Sequence, residues 1–192
     1  TEKMDGDIKL HYNRGASRLI GWVSADDVKK NADMVEKWKV LVPEAYGERG
    51  AVPAMVLSQP ILSEPPSCCT QTYLSIGSLD TREEAENLLT LLKTRFARFL
   101  ISLRKITQHV GKTTYSFVPL VPLTQSWTDE ELYKRYNLTP DEISFIESQV
   151  RHPHFVDIEV LQTQCGCMAD AGVELPTCPR GHAGSRVVFA GL

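Results

Sequence analysis

The chain has 192 residues and a formal net charge of −3, with 42% hydrophobic and 23% charged residues, so it can bury a core of its own without disulfide or metal support. That balance excludes a polybasic nucleic-acid binder, and any basic surface must be local. No apolar run reaches the length of a membrane span. The opening TEKMDGDIK lacks a signal-peptide core, and five cysteines are an odd number unlike a secreted disulfide framework; together these point to the cytoplasm.

The sequence opens on Thr1, which suggests a processed or excised piece. Short strands are expected at Asp7 to His11 and Leu19 to Val23. WKVLV, Trp38 to Val42, is short, apolar and partly β-branched and stops at Pro43, the pattern of a strand. Met55 to Leu57 and Pro60 to Leu62 read as short extended pieces, and TYLSI, Thr72 to Ile76, alternates as a strand does. Thr81 with Glu84 three residues on forms a capping box. From there apolar residues recur at helical spacing: Ala85, Leu88, Leu89, Leu92, Phe96, Phe99, Leu100, Leu103 and Ile106. At about 100° per residue they make a stripe about 120° wide, so one long helix is expected from Arg82 to about Thr107.

Downstream, TYSFV at Thr114 to Val118 reads as a strand stopped by Pro119. Thr128 with Glu131 opens a short helix that ends near Tyr136. Thr139-Pro140-Asp141-Glu142 opens another, with a cap, a proline at the first helical position and acid in the first turn. That last helix is expected to bury Ile143, Phe145 and Ile146. These elements predict an α/β (α+β) domain over residues 1–151: a small mixed or antiparallel sheet packed against one long helix, with two short C-terminal helices. Composition changes near His152, and residues 152–192 read as a Cys- and Gly-rich appendage, expected to be poorly ordered.

Charge is unevenly spread. No Asp or Glu occurs between Asn87 and Thr128, whereas Lys93, Arg95, Arg98, Arg104, Lys105 and Lys112 all fall there. On a continuous helix the five up to Lys105 lie off the apolar stripe, which predicts a helix buried on one side and basic on the other. The following stretch supplies the small donors Thr113, Thr114, Tyr115 and Ser116. Phosphate contacts use Lys and Arg together with such hydroxyls. About six neutralised phosphates would give a log–log salt slope near −5. Arg14, Arg18, Lys37 and Lys39 are further candidates from the N-terminal segment. The bland reading is a solvated helix face whose C-terminal cations complement the dipole.

Motifs for chemistry are scarce. The sequence holds no Walker loop, GxSxG or HExxH. Asp7-Ile8-Lys9 and Asp27-Val28-Lys29 have the acid-x-Lys form of a metal-dependent nuclease, but sequence supplies no partner acid. Cys68-Cys69 reads as a pair of small buried hydrophobes; a nucleophilic cysteine would want a nearby histidine base. In the tail, Cys165, Cys167, Cys178 and His182 are four soft ligands that could hold zinc, although C-x-C is a less usual knuckle than C-x-x-C.

Five segments occur together and in order: WKVLVPEAYGERG from Trp38; the Cys-Thr-x-Thr-Tyr-Leu stretch at Cys69 to Leu74; IGSLDTREEAENLLTLLKTRFARFLISLRKITQ from Ile76; TYSFVPL from Thr114; and WTDEELYKRYNLTPDEISFIES from Trp127. In this order the chain resembles the C-terminal target-recognition region of adenine-specific DNA methyltransferases from bacterial restriction-modification systems. The resemblance implies duplex DNA as partner, held while a separate catalytic domain flips and methylates adenine. The glycine-rich cofactor loop and the Asn/Asp-Pro-Pro-aromatic motif of that chemistry are absent. No cofactor is therefore expected in this chain, and S-adenosylmethionine belongs to the missing catalytic domain. By itself the chain is expected to bind rather than catalyse. The alternative is a protein-interaction module whose basic face docks a separately encoded methyltransferase or another acidic partner.

Overall fold

Strand Trp38–Pro43 is buried along its length beyond Trp38, and its position explains much of the rest. The computed structural model describes residues 7–15, 17–45, 52–105 and 111–151. All of these belong to the first of two units into which the chain divides, Thr1–Pro153. The zinc candidates Cys165, Cys167, Cys178 and His182 lie outside the described residues.

The fold is α+β. Among the described residues, six strands form two three-stranded sheets rather than the single sheet expected. In the first, β1 (Ile8–Arg14) pairs antiparallel with β2 (Ser17–Val23) and parallel with β5 (Ser67–Cys69). Gly15 closes the β1–β2 hairpin at φ 61°, a conformation glycine adopts without a Cβ penalty. In the second, β3 (Trp38–Pro43) lies between β4 (Ile61–Ser63) and β6 (Tyr73–Leu79), both antiparallel to it. The β3–β6 register slips between Trp38 and Val40. Gly77, in the bulged stretch of β6, has φ 81°, and a Cβ there would sit 3.0 Å from Leu88. The bulge therefore needs glycine both for its backbone and for the close approach of the helix.

Helix α1 (Arg82–Lys93) starts at the predicted Thr81–Glu84 capping box and packs Ala85, Leu88, Leu91 and Leu92 inward, over the β3 sheet. It then ends. Thr94 has φ −64° and ψ 149°, and is at once the C-cap of α1 and the N-cap of α2 (Arg95–Ser102). Its Oγ1 donates to the Leu91 carbonyl at 2.7 Å and accepts from the Ala97 N–H at 3.1 Å. The first N–H groups of α2 find an acceptor elsewhere. Asp129, the first residue of α3 (Asp129–Arg135), takes the Arg95 N–H on Oδ2 at 3.0 Å and the Phe96 N–H on Oδ1 at 2.9 Å. A carboxylate at a helix N-terminus satisfies orphan donors and meets the positive end of the dipole. The single long helix of the sequence reading is thus two helices.

The break turns the buried face. A continuous helix would point Phe96, Phe99, Leu100 and Leu103 inward. Instead α2 buries Phe96, Ala97, Arg98 and Ile101, and Leu103 is exposed.

Three other expectations fail for identifiable reasons. Thr114 to Val118 is a 3-10 turn, Lys112–Tyr115, followed by a bend. Tyr115, Val118 and Val121 pack on the core at a spacing of three while Phe117 is exposed, a pattern that strand alternation cannot produce. Met55 to Leu57 is a tight turn, with the Leu57 N–H on the Met55 carbonyl at 2.6 Å and Val56 at φ 57°. Helix α4 (Pro140–Gln149) begins at its predicted cap but buries only Ile146 fully, leaving Ile143 half-buried and Phe145 exposed. Beyond its end, Ala54 and Val150 form a parallel bridge. Among the described residues no helix is long and apolar enough to cross a membrane.

Asp129→Ala should lower unfolding free energy by about 1–2 kcal/mol, the usual cost of losing a helix N-cap, with Asp129→Asn closer to wild type. Urea denaturation followed by circular dichroism measures both.

Candidate nucleic-acid interface

The residues expected to contact DNA do not form one surface. Arg98 is wholly buried. Its Nη1 donates to the carbonyls of Met55 at 2.7 Å and Leu57 at 3.1 Å, and its Nε donates to the Leu92 carbonyl at 3.2 Å. Lys105 reaches the intervening Val56 carbonyl at 2.6 Å. Two cations from α2 and the residues after it therefore gather three successive carbonyls of a strained turn, in which a β-branched residue sits at positive φ. Arg98 cannot present its charge to a phosphate.

Lys39 is also buried, its Nζ held by the carbonyls of Met34 and Lys37, both at 2.7 Å. Desolvation is the first cause of a pKa below the usual lysine range. Lys37 pairs with Asp80 at the surface. Arg95 is half-buried and lies 3.3 Å from Glu147. Arg18 is exposed but donates to Ser58 Oγ at 3.1 Å and the Gln59 carbonyl at 2.9 Å. Tyr115 is half-buried with its hydroxyl enclosed, and burial drives its pKa above the usual tyrosine range. Thr114 is buried as well.

What remains is smaller and lies where the end of α2 meets the Lys112–Tyr115 turn. Arg104 is exposed, with its guanidinium carbon 5.1 Å from the centroid of the Phe117 ring. Lys112, Thr113 and Ser116 are exposed on the same short segment as Phe117. A guanidinium over an aromatic face keeps its charge while its position is defined. Lys93 lies half-buried at the end of α1, and Arg14 is exposed at the far end of β1.

A second group of titratable side chains gathers at the paired strands β1 and β5. His11 and Cys69 are partners in the parallel β1–β5 ladder, so the histidine that sequence could not place beside the cysteine pair is there. Burial nevertheless pushes the Cys69 thiol up to about 11 and raises Cys68 as well. A thiolate nucleophile is disfavoured at this position. Lys9 of the Asp-x-Lys triplet pairs with Glu64 at 2.5 Å. Among the described residues no group of three or more His, Cys, Asp or Glu is placed to hold a metal. His11 is held below its ordinary pKa of 6.5 by burial first, and then by the cations of Lys9 and Lys39.

Comparisons with known protein families, curated proteins and solved structures found no match.

Three outcomes follow from this geometry. Arg98→Ala takes this donor from the Met55, Leu57 and Leu92 carbonyls and leaves a cavity, and should cost about 2–5 kcal/mol in chemical denaturation. Arg104→Ala should stay within about 0.5 kcal/mol of wild type in the same measurement. A histidine kept neutral by the fold takes up a proton more readily when unfolded. Its contribution is complete above pH 6.5 and is lost as pH falls below that value toward the lowered folded-state pKa. His11→Gln should therefore flatten the loss of stability between about pH 7 and pH 5, read as melting temperature against pH.

Proposed function

We propose that this chain binds duplex DNA as the target-recognition module of an adenine-specific restriction-modification methyltransferase, and that a separate catalytic part holds S-adenosylmethionine and the flipped base. The observation that carries the reading is the exposed set Arg104, Lys112, Thr113 and Ser116, in a stretch of sequence from Leu88 to Trp127 with no carboxylate. Cations with neighbouring hydroxyls are the usual phosphate-binding combination. The ordered resemblance of five segments to that family supports the same reading. In it the chain positions DNA and performs no chemistry of its own. A cytoplasmic location is supported by the odd number of cysteines, with Cys68 and Cys69 both free thiols.

The interface is narrower than the sequence suggested, and the salt dependence shrinks with it. Two or three neutralised phosphates give a log–log slope of about −2 to −3, rather than −5. Fluorescence anisotropy with mixed-sequence duplexes should show that slope. Arg104→Ala and Lys112→Ala should each weaken binding about threefold to tenfold and reduce the slope by about one. No binding at low salt, or binding indifferent to both substitutions, contradicts the reading. Docking of an acidic protein on the same face would instead leave the duplex unbound while the same two substitutions weakened the protein complex.

A further inference from the structure

The groove between α2 and α4 is separate from the cationic surface and opposite in character. It encloses about 380 Å³, walled by Phe96, Phe99 and Leu100 on one side and by Phe145 and Ile146 on the other. Phe145 is 57% exposed, with its ring edge-on to Phe99 at a centroid distance of 5.9 Å. Leu103, one turn along from Phe99, is 55% exposed. Large apolar side chains clustered around an open groove mark a surface that binds something.

The charge beside the groove is negative. Asp141 and Glu142 line it, and α4 contains Asp141, Glu142 and Glu147 but neither Lys nor Arg. Arg95 offsets Glu147, whereas Arg98 is turned into the core and Arg104 beyond the helix lies over Phe117, so Asp141 and Glu142 are the carboxylates that set the charge of the rim. A carboxylate-rimmed apolar groove repels phosphate. In a two-fold pairing of identical copies the same patch meets itself, bringing these carboxylates together. The complementary ligand is apolar and cationic.

We propose that this groove docks an amphipathic helical segment of a partner protein, one that presents large apolar side chains at helical spacing and carries Lys or Arg beside them. Helix-in-groove recognition uses anchors at about i, i+4 and i+7, and the groove has room for about two or three such side chains. Rim carboxylates then select the partner by its flanking charge.

The test uses the full chain and a fluorescein-labelled synthetic helical peptide with Leu at the three anchor positions and Lys at the flanks, against the same peptide with Glu at the flanks. The Lys peptide should bind saturably and at least tenfold more tightly than the Glu peptide. Phe145→Ser and Asp141→Lys should each weaken it tenfold or more, with the circular dichroism spectrum and duplex anisotropy unchanged. Absence of binding, equal binding of the two peptides, or binding indifferent to Phe145→Ser overturns the proposal. A homodimer in light scattering that Phe145→Ser dissolves also overturns it, by making a second copy the occupant.

Discussion

The rest of the structure depends on the carboxylate of Asp129 seated at the N-terminus of α2. A helix can stop and restart only if the freed N–H groups find acceptors. Here Thr94 supplies one acceptor, and Asp129 supplies two more from a segment over thirty residues away in sequence. With the restart stabilised, α2 is free to take a different rotation about its axis from the one α1 would have imposed. That rotation sends Arg98 inward to the Met55–Leu57 turn and leaves Phe99, Leu100 and Leu103 partly or largely uncovered. A cationic face expected from a continuous helix is thereby divided. Part of it becomes internal structure, and part of the apolar stripe becomes a groove.

Arg98 illustrates how little a charged residue type says about its location. A buried guanidinium is tolerable only when its donors meet acceptors. The turn at Met55 to Leu57 provides them, because its carbonyls are not used up in a strand ladder, while the restart of α2 brings the Leu92 carbonyl within reach. The same contacts hold Val56 at φ 57° in a buried turn. The cation and the strained turn support each other, and neither has a local explanation.

Elements coded by neighbouring residues were legible in the sequence. The three capping boxes at Thr81, Thr128 and Thr139 each begin a helix as expected, because a cap is a contact between residues three apart. Strand β3 was legible because it is apolar on both faces and ends at a proline. The break at Thr94 was not, since the apolar periodicity runs straight across it and the deciding acceptor is distant. Strand β5 and the split into two sheets depend on pairings between remote segments, which no local pattern specifies. Of the candidate interface, Arg104, Lys112, Thr113 and Ser116 are exposed as the charge pattern implied. Arg98, Lys39 and Tyr115 are not, because burial is decided by what packs against a residue. The negative groove was not legible because Leu103 falls in the apolar stripe of one continuous helix and Phe145 falls on the expected buried face of the last helix, yet both are exposed.

The claim that α2 is rotated so that Arg98 is an internal residue has a direct spectroscopic test. In 15N-labelled protein, proton exchange at the Arg98 Nε–H, bonded to the Leu92 carbonyl, should be slow and its resonance unmoved when duplex DNA is added, while the Arg104 Nε–H exchanges fast and shifts. Rapid exchange at Arg98 together with a DNA-induced shift would place that guanidinium at the surface and contradict the account.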